Sequence, residues 1–294
     1  MKRKIIVPIL CVVLMMGMLS GCVEEEPTEE QKATLTLAIL GLMDLGPEAL
    51  YEGWILVDGG VSSTGTFSVD DSGILSDTTF EINKGDLTNA TAFILTIEPV
   101  LDPSADPSDT HILAGDFSDD IATLSIMHTA AIGDDFSTST GVYKLATPTT
   151  ENTTDEKSGI WYINETGEKG LDLPTLPTGW IYEGWIVIDG TAISTGRFSD
   201  SNMSDDSDIY SGNLTGPEFP GEDLIINGTL EILFPTTLDG NTAVISVEPD
   251  PDNDADPFLL KPLIATIPDP AVEHTVYNMT NQAASILPTG TASR

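Results

Sequence analysis

The chain is short of cysteine, of positive charge and of histidine. Its two cysteines, Cys11 and Cys22, both fall in the first 22 of 294 residues. The body beyond them has no disulfide and no thiolate metal site, and its stability comes from burial alone. Eleven Lys and Arg stand against 47 Asp and Glu, a net charge of −36. Such a surface repels nucleic acid and anionic lipid, so no nucleic-acid partner is expected. It suits divalent cations, basic partners or simple solubility. The three histidines, His111, His128 and His274, are accompanied by no Gly-x-Ser-x-Gly and no other nucleophile motif. The sequence therefore predicts no enzyme. No stretch of the body shows a helical repeat of apolar residues, which argues against an α or α/β fold.

What is present begins with an export signal. Lys2, Arg3 and Lys4 form a positive start, and Ile5 to Leu19 is an apolar run too short for a confident transmembrane span. Leu19-Ser20-Gly21-Cys22 resembles the lipobox of prokaryotic lipoproteins, which implies cleavage before Cys22 and lipidation of its thiol. An uncleaved N-terminal anchor is the other reading. Both tether the protein to a membrane and place the body outside the cytoplasm. Removing the three basic residues of the signal takes the mature chain from −36 to −39. The expected layout is a signal peptide over 1–21 and an acidic linker over 22–32.

The body is a duplication. Tyr51-Glu-Gly-Trp-Ile-Leu-Val-Asp-Gly-Gly-Val-Ser-Ser-Thr-Gly-Thr-Phe67 recurs 131 residues later as Tyr182-Glu-Gly-Trp-Ile-Val-Ile-Asp-Gly-Thr-Ala-Ile-Ser-Thr-Gly-Arg-Phe198, with 11 of 17 positions identical. Each copy reads as a hairpin around Asp58-Gly59 or Asp189-Gly190, because Gly takes positive φ without steric cost. Thr91-Ala-Phe-Ile-Leu-Thr-Ile-Glu-Pro99 is matched by Thr242-Ala-Val-Ile-Ser-Val-Glu-Pro249. Ala33-Thr-Leu-Thr-Leu37 is matched by Ala122-Thr-Leu-Ser-Ile126, only 89 residues on, so the second copy carries an insert over about 136–180. The insert reads as two further strands, Gly141–Thr147 and Gly159–Ile163. Short apolar runs broken by Gly, Pro, Asp and Asn predict an all-β chain of two tandem antiparallel, Ig-like β-sandwiches, the second with an inserted hairpin. The expected boundaries are 33–117 and 118–268. Residues 269–294 are a tail whose end reads as disordered.

Tyr51-x-x-Trp54, Ser63-Thr-Gly-Thr-Phe67, Ile97-Glu-Pro99, Pro103-Ser-Ala-Asp-Pro107 and His111-Ile-Leu-Ala-Gly115 resemble the extracytoplasmic C-terminal domain of anti-sigma-K factors, and the second copy repeats the hairpin and Val247-Glu-Pro249. The resemblance implies a sensor-like or ligand-presenting outer domain. Such factors also carry a cytoplasmic domain and a membrane helix, for which this chain has no counterpart before its signal. Direct sigma-factor binding is therefore not expected.

Several groups qualify as sites. Tyr143, Trp161, Tyr162 and Trp180 make the insert aromatic. Exposed, Trp161, Tyr162 and Trp180 form a platform for a ligand or partner; buried, which is the favoured reading, they extend the second core. Asp250, Asp252, Asp254 and Asp256 alternate as Ca²⁺ ligands do, although Ala255 stands where an EF-hand needs Gly; without Ca²⁺ this is a solvated loop, and no other cofactor is expected. Asp205, Asp206 and Asp208 form a third acidic cluster, read as solvated. Glu98 and Glu248 end matching strands, each before a proline, and read as turn caps or buried hydrogen-bond acceptors. Asn89, Asn152, Asn164, Asn202, Asn213, Asn227 and Asn278 begin glycosylation triplets. The expectation is a non-enzymatic, lipid-anchored protein that binds an unknown ligand or partner at the cell surface. The alternative is a structural envelope lipoprotein displaying an acidic, glycosylated surface.

Overall fold

A computed structural model of the protein describes residues 31–101, 104–229, 232–251 and 254–294. The expected signal, Cys22 and most of the expected linker lie outside the described residues. The strands in chain order are β1 (Lys32–Leu40), β2 (Ala49–Val57), β3 (Gly60–Phe67), β4 (Thr79–Asn83), β5 (Ala92–Pro99), β6 (His111–Ser118), β7 (Ile121–Ser125), β8 (Thr140–Leu145), β9 (Gly159–Trp161), β10 (Leu171–Asp172), β11 (Trp180–Ile188), β12 (Thr191–Phe198), β13 (Gly221–Asp223), β14 (Thr242–Pro249), β15 (Leu263–Thr266), β16 (Tyr277–Asn278), β17 (Thr280–Asn281) and β18 (Thr289–Ser293). Two short α-helices, α1 (Lys84–Asn89) and α2 (Ala283–Ile286), and one turn of 3-10 helix, Glu156–Ser158, complete the set among the described residues.

Each repeat is built on its hairpin. Asp58 and Gly59 take φ of 52° and 77°, Asp189 and Gly190 take 50° and 87°, so a two-residue turn with both φ positive joins β2 to β3 and β11 to β12. Both hairpins carry the same bulge, after Gly53 in one and Gly184 in the other. The bulged residue is Thr64 or Thr195, and its hydroxyl occupies the space a side chain would need: a Cβ on either glycine would lie 2.4 Å from it. Beyond the bulge Tyr51 stacks on Phe67 at 5.5 Å and Tyr182 on Phe198 at 5.6 Å. The next two strands add in the same order, β3-β2-β5-β6 and β12-β11-β14-β15. The all-β, antiparallel sandwich architecture expected from the sequence is present, and β8 and β9 of the insert pair with each other as the expected hairpin.

The repeats are not closed off at 118. Ile121–Ser125, read as opening the second copy, pairs with β6 and β18 in the first sheet, β3-β2-β5-β6-β7-β18-β1-β4. One cluster of buried residues runs without a break from Leu35 through Tyr51, Tyr143, Tyr182 and Leu263 to Ala292. Gln31–Arg294 is a single compact unit. The described residues of Leu224–Phe234 form no strand, and the nearby strand is the three-residue β13.

The tail is the largest correction. Tyr277 pairs with Tyr143 of β8, Thr280 with Ile264 of β15, and Thr289–Ser293 fills the gap between β1 and β7 with five partners on each side. The stretch therefore joins all three sheets. Its sequence hides this, because Thr-Gly-Thr-Ala-Ser buries only Ala292 and has no apolar alternation to read. Main-chain hydrogen bonds hold it instead. The Arg294 guanidinium donates to the carbonyls of Leu87, Ala90 and Asp119 at 2.7–2.9 Å and lies 4.4 Å from the Phe117 ring. Deleting 289–294 strips both inner edges of the first sheet. At roughly 0.5–1.5 kcal/mol net per main-chain hydrogen bond, denaturant melts should show a loss of more than ~3 kcal/mol, with β1 and β7 amides exchanging first. An unchanged midpoint would refute the role given to the tail.

Candidate functional site

The aromatic platform does not exist. Trp161, Tyr162 and Trp180 are 5%, 1% and 5% exposed. Trp161 donates from Nε1 to Asp223 at 2.6 Å, and the Tyr162 hydroxyl lies against the Val244 carbonyl. Trp180 packs on Phe258 and donates to the His111 carbonyl at 3.3 Å, while Thr110 donates to the Gly179 carbonyl at 3.3 Å. These rings extend the core and seal the seam between the repeats. Both indole N–H groups find polar partners outside the insert, Asp223 and the His111 carbonyl, which is what allows tryptophan to be buried.

The Asp/Pro loops are organised from within. In the second repeat Trp185 Nε1 donates to Ser246 Oγ at 2.8 Å, Ser246 donates to the Glu248 carboxylate, and Glu248 accepts from the Phe258 amide at 3.0 Å. In the first repeat Trp54 donates to Thr96 at 2.9 Å, Thr96 to Glu98, and Glu98 accepts from the Ser108 amide at 2.9 Å. Both glutamates are almost fully buried. Each relay ties a strand tryptophan to the far end of a loop and fixes the turn between them. This is the buried-acceptor role expected of Glu98 and Glu248. As for the Ca²⁺ expectation, Asp250, Asp254 and Asp256 are exposed and Asp252 lies outside the described residues. The Asp254 carboxylate accepts from the Asp256 amide at 3.1 Å. Among the described residues no three His, Cys, Asp or Glu are placed to hold a metal ion.

The relay shapes a cleft. Glu183, Trp185, Thr191 to Ser194, Tyr210, Thr229, Asp254 and Ala255 line a groove of about 490 Å³ beside β12. Ser194 Oγ donates to the Glu183 carboxylate. The flank bearing Tyr210 belongs to the stretch after β12, which is longer than the stretch after β3. Three carboxylates pin it. Asp205 accepts from the Gly221 amide at 2.7 Å and the Ser207 amide at 3.0 Å, and abuts Gly196 of β12. Glu222 accepts from Ser207 and Ser211, and Asp223 from the Thr149 amide, the Thr149 hydroxyl and Trp161. The solvated cluster expected at Asp205, Asp206 and Asp208 is therefore divided: Asp206 and Asp208 are exposed, Asp206 on Arg197 at 3.0 Å, while Asp205 turns inward. Burial pushes the Asp205 and Glu222 carboxyls up to about 7, opposed by the N–H and O–H donors and aided by neighbouring carboxylates. Asp223 is raised for the same leading reason.

A second cleft of about 370 Å³ includes Glu156, Lys157, Ser158 and Glu273. His274 Nε2 is 3.4 Å from Glu156, and His128 Nε2 is 3.4 Å from Asp116. In this cleft Ser158 Oγ is committed to the Leu224 carbonyl and the Thr236 amide. Of the sequon asparagines, Asn89, Asn152, Asn202, Asn213, Asn227 and Asn278 are exposed and Asn164 is half-buried. The side-chain amides of Asn152, Asn164, Asn202 and Asn227 donate to neighbouring oxygens. Comparison with family models, with curated proteins and with solved structures gives no match to this chain.

Two outcomes follow from the relay and the pinned flank. Ser246→Ala and Thr96→Val each leave a buried glutamate and an indole N–H short of a partner, so each should lower stability by ~1–3 kcal/mol in urea melts; a change within ~0.3 kcal/mol would show the relay to be idle. The pH effect has a defined sign. A raised carboxyl pKa means the folded state holds protons that the unfolded state releases, so stability is highest below about pH 4 for these groups and falls as pH rises through about 7. Charge repulsion across the molecule acts in the same direction, and Glu222→Gln isolates the local part. That variant should flatten stability against pH between about 5 and 7 by roughly 1 kcal/mol per pH unit. A slope equal to that of the parent would count against the assignment.

Proposed function

We propose that the protein is exported, tethered to the membrane through lipid on Cys22, and acts without catalysis by binding a ligand or partner at the cell surface. The observation that carries the reading is the cleft beside β12. It is lined from the duplicated hairpin, the relay-held loop and the carboxylate-pinned flank, so rigid elements present its side chains. The positive, apolar, Leu-Ser-Gly-Cys22 sequence of the N-terminus supports the tether, and no described helix is long and apolar enough to cross a membrane. The likeness of the repeated Tyr-Glu-Gly-Trp and Glu-Pro motifs to anti-sigma-K outer domains supports a sensing or presenting role, with no direct sigma-factor contact. Commitment of Ser158 to two main-chain groups supports a non-enzymatic reading.

One observation favours display over binding. Six of the seven sequon asparagines are exposed, as an acidic glycosylated coat requires. Two measurements separate the readings. A fatty-acid label incorporated by the wild type and lost in Cys22→Ser establishes the tether, and retention of the label in the variant removes it. Hydrogen exchange of the full-length protein with envelope extract from its own cells should protect Thr191–Ser194 and the amides around Tyr210. Exchange that the extract leaves unaltered everywhere would replace binding with display.

A further inference from the structure

The cleft has a lining that no side chain supplies. β12 ends its sheet, β12-β11-β14-β15-β17, and pairs on one side only. The closing pair of a two-residue hairpin, here Ile188 and Thr191, exchanges hydrogen bonds across the ladder. Alternation then turns the amide and carbonyl of Ala192 and of Ser194 away from β11. Among the described residues no main-chain hydrogen bond from another element reaches these four groups. Further along, the edge is covered: the Asp206 amide donates to the Arg197 carbonyl at 2.9 Å, and the Asp206 carboxylate takes the Arg197 amide at 2.8 Å and its guanidinium at 3.0 Å. The open edge is thus confined to Thr191–Ser194, the four β12 residues that line the cleft. At about 3.3 Å per residue it offers roughly 13 Å of strand.

We propose that this cleft binds an extended, basic peptide segment, which adds to β12 as a further strand and places a lysine or arginine side chain toward the exposed Asp254. The inference rests on the reading that the protein acts by binding at this cleft. An added strand draws affinity from main-chain hydrogen bonds and specificity from alternate side chains. Of the two acidic residues lining the cleft, Asp254 is exposed while Glu183 is buried against Ser194 and opposite Arg197, and no Lys, Arg or His lines the cleft itself among the described residues. The half-buried ring of Tyr210 gives the aliphatic stem of a long basic side chain an apolar contact. The overall charge of −36 steers such a segment in.

The test uses the full-length protein in detergent micelles and a fluorescein-labelled Val-Lys-Val-Lys-Val peptide at about 0.15 M salt, read by anisotropy. Two further peptides carry N-methyl groups on both lysines or on the second and third valines. Only alternate amides of an added strand face β12, so one methylated peptide should lose about tenfold in affinity and the other should bind like the parent. Replacing both lysines by norleucine should weaken binding by a similar factor, as should Asp254→Asn, to a smaller extent. Ala192→Pro removes an N–H that the β11 ladder does not use, so it should abolish binding with little change in melting temperature. The proposal is overturned if both methylated peptides bind like the parent, which is plain adsorption to an acidic surface, or if Ala192→Pro binds unchanged. It is also overturned if the peptide fails while envelope extract still protects Thr191–Ser194; the binding function then stands with another ligand.

Discussion

A carboxylate buried at the end of a strand must be met by donors, and here that requirement sets most of the architecture. Glu98 and Glu248 each accept from a hydroxyl two residues earlier on the same strand and from an amide ten residues later in the following loop. The hydroxyl in turn receives an indole N–H from the neighbouring strand. One glutamate thereby dictates a tryptophan on the hairpin, Thr or Ser in the strand, a proline that stops the strand, and a loop bent back to offer its amide. Removing any of these donors leaves charge or polarity stranded in the buried interior. The motif that the two repeats share is the set of residues this single buried charge needs.

The second repeat adds a different kind of burial. Asp205, Glu222 and Asp223 are held by amides and hydroxyls, and their principal neighbouring charges are other carboxylates. In a chain with 47 acidic and 11 basic residues there are few cations to distribute. Arg197 goes to Asp206 and Lys157 to Asp239. Protons do for Asp205 and Glu222 what cations do elsewhere, and this ties the flank of the cleft to the pH of the surroundings.

How much of this was legible depended on whether apolar pattern or hydrogen bonding placed each residue. The hairpins, β5, β14 and the β8–β9 insert bury alternating or continuous apolar faces, and sequence reading finds them. The Asp-Gly turns announce themselves through positive φ. β18 does not, because Thr289 to Ser293 is held by main-chain bonds to β1 and β7 and contributes one methyl group to the core. Composition reads such a stretch as disordered. The cleft was missed for a related reason: its walls come from Tyr210, Thr229 and Asp254, in three irregular segments with no period. The nearest signal was the cluster Asp205, Asp206 and Asp208, and a run of acids does not reveal that only one of them turns inward. Trp161 and Trp180 show the converse. Their partners, Asp223 and the His111 carbonyl, lie far away in sequence, so the sequence alone left burial and display both open.

Duplication gives two copies of one edge strand, and an open edge is a liability that each copy handles differently. In the first, the eight-stranded sheet curls until β4 approaches β3, and Phe80 sits 6.3 Å from Phe67. The far part of that edge is covered and the near part, around Val61, is left to solvent. In the second, the long stretch after β12 returns along the strand, closes it from Arg197 onward through Asp206, and stops short of Ser194. The same extra residues that cover one half of β12 build a wall beside the other half. A chain that needed only to blunt its edge would have gained more by continuing the cover over Ala192. Leaving four residues of open strand between an acidic loop and Tyr210 keeps the pairing capacity of the hairpin while restricting what can reach it. The copies thus keep a common scaffold because the buried glutamates require it, and they differ where the edge meets solvent, which is where a binding specificity can be placed without disturbing the core.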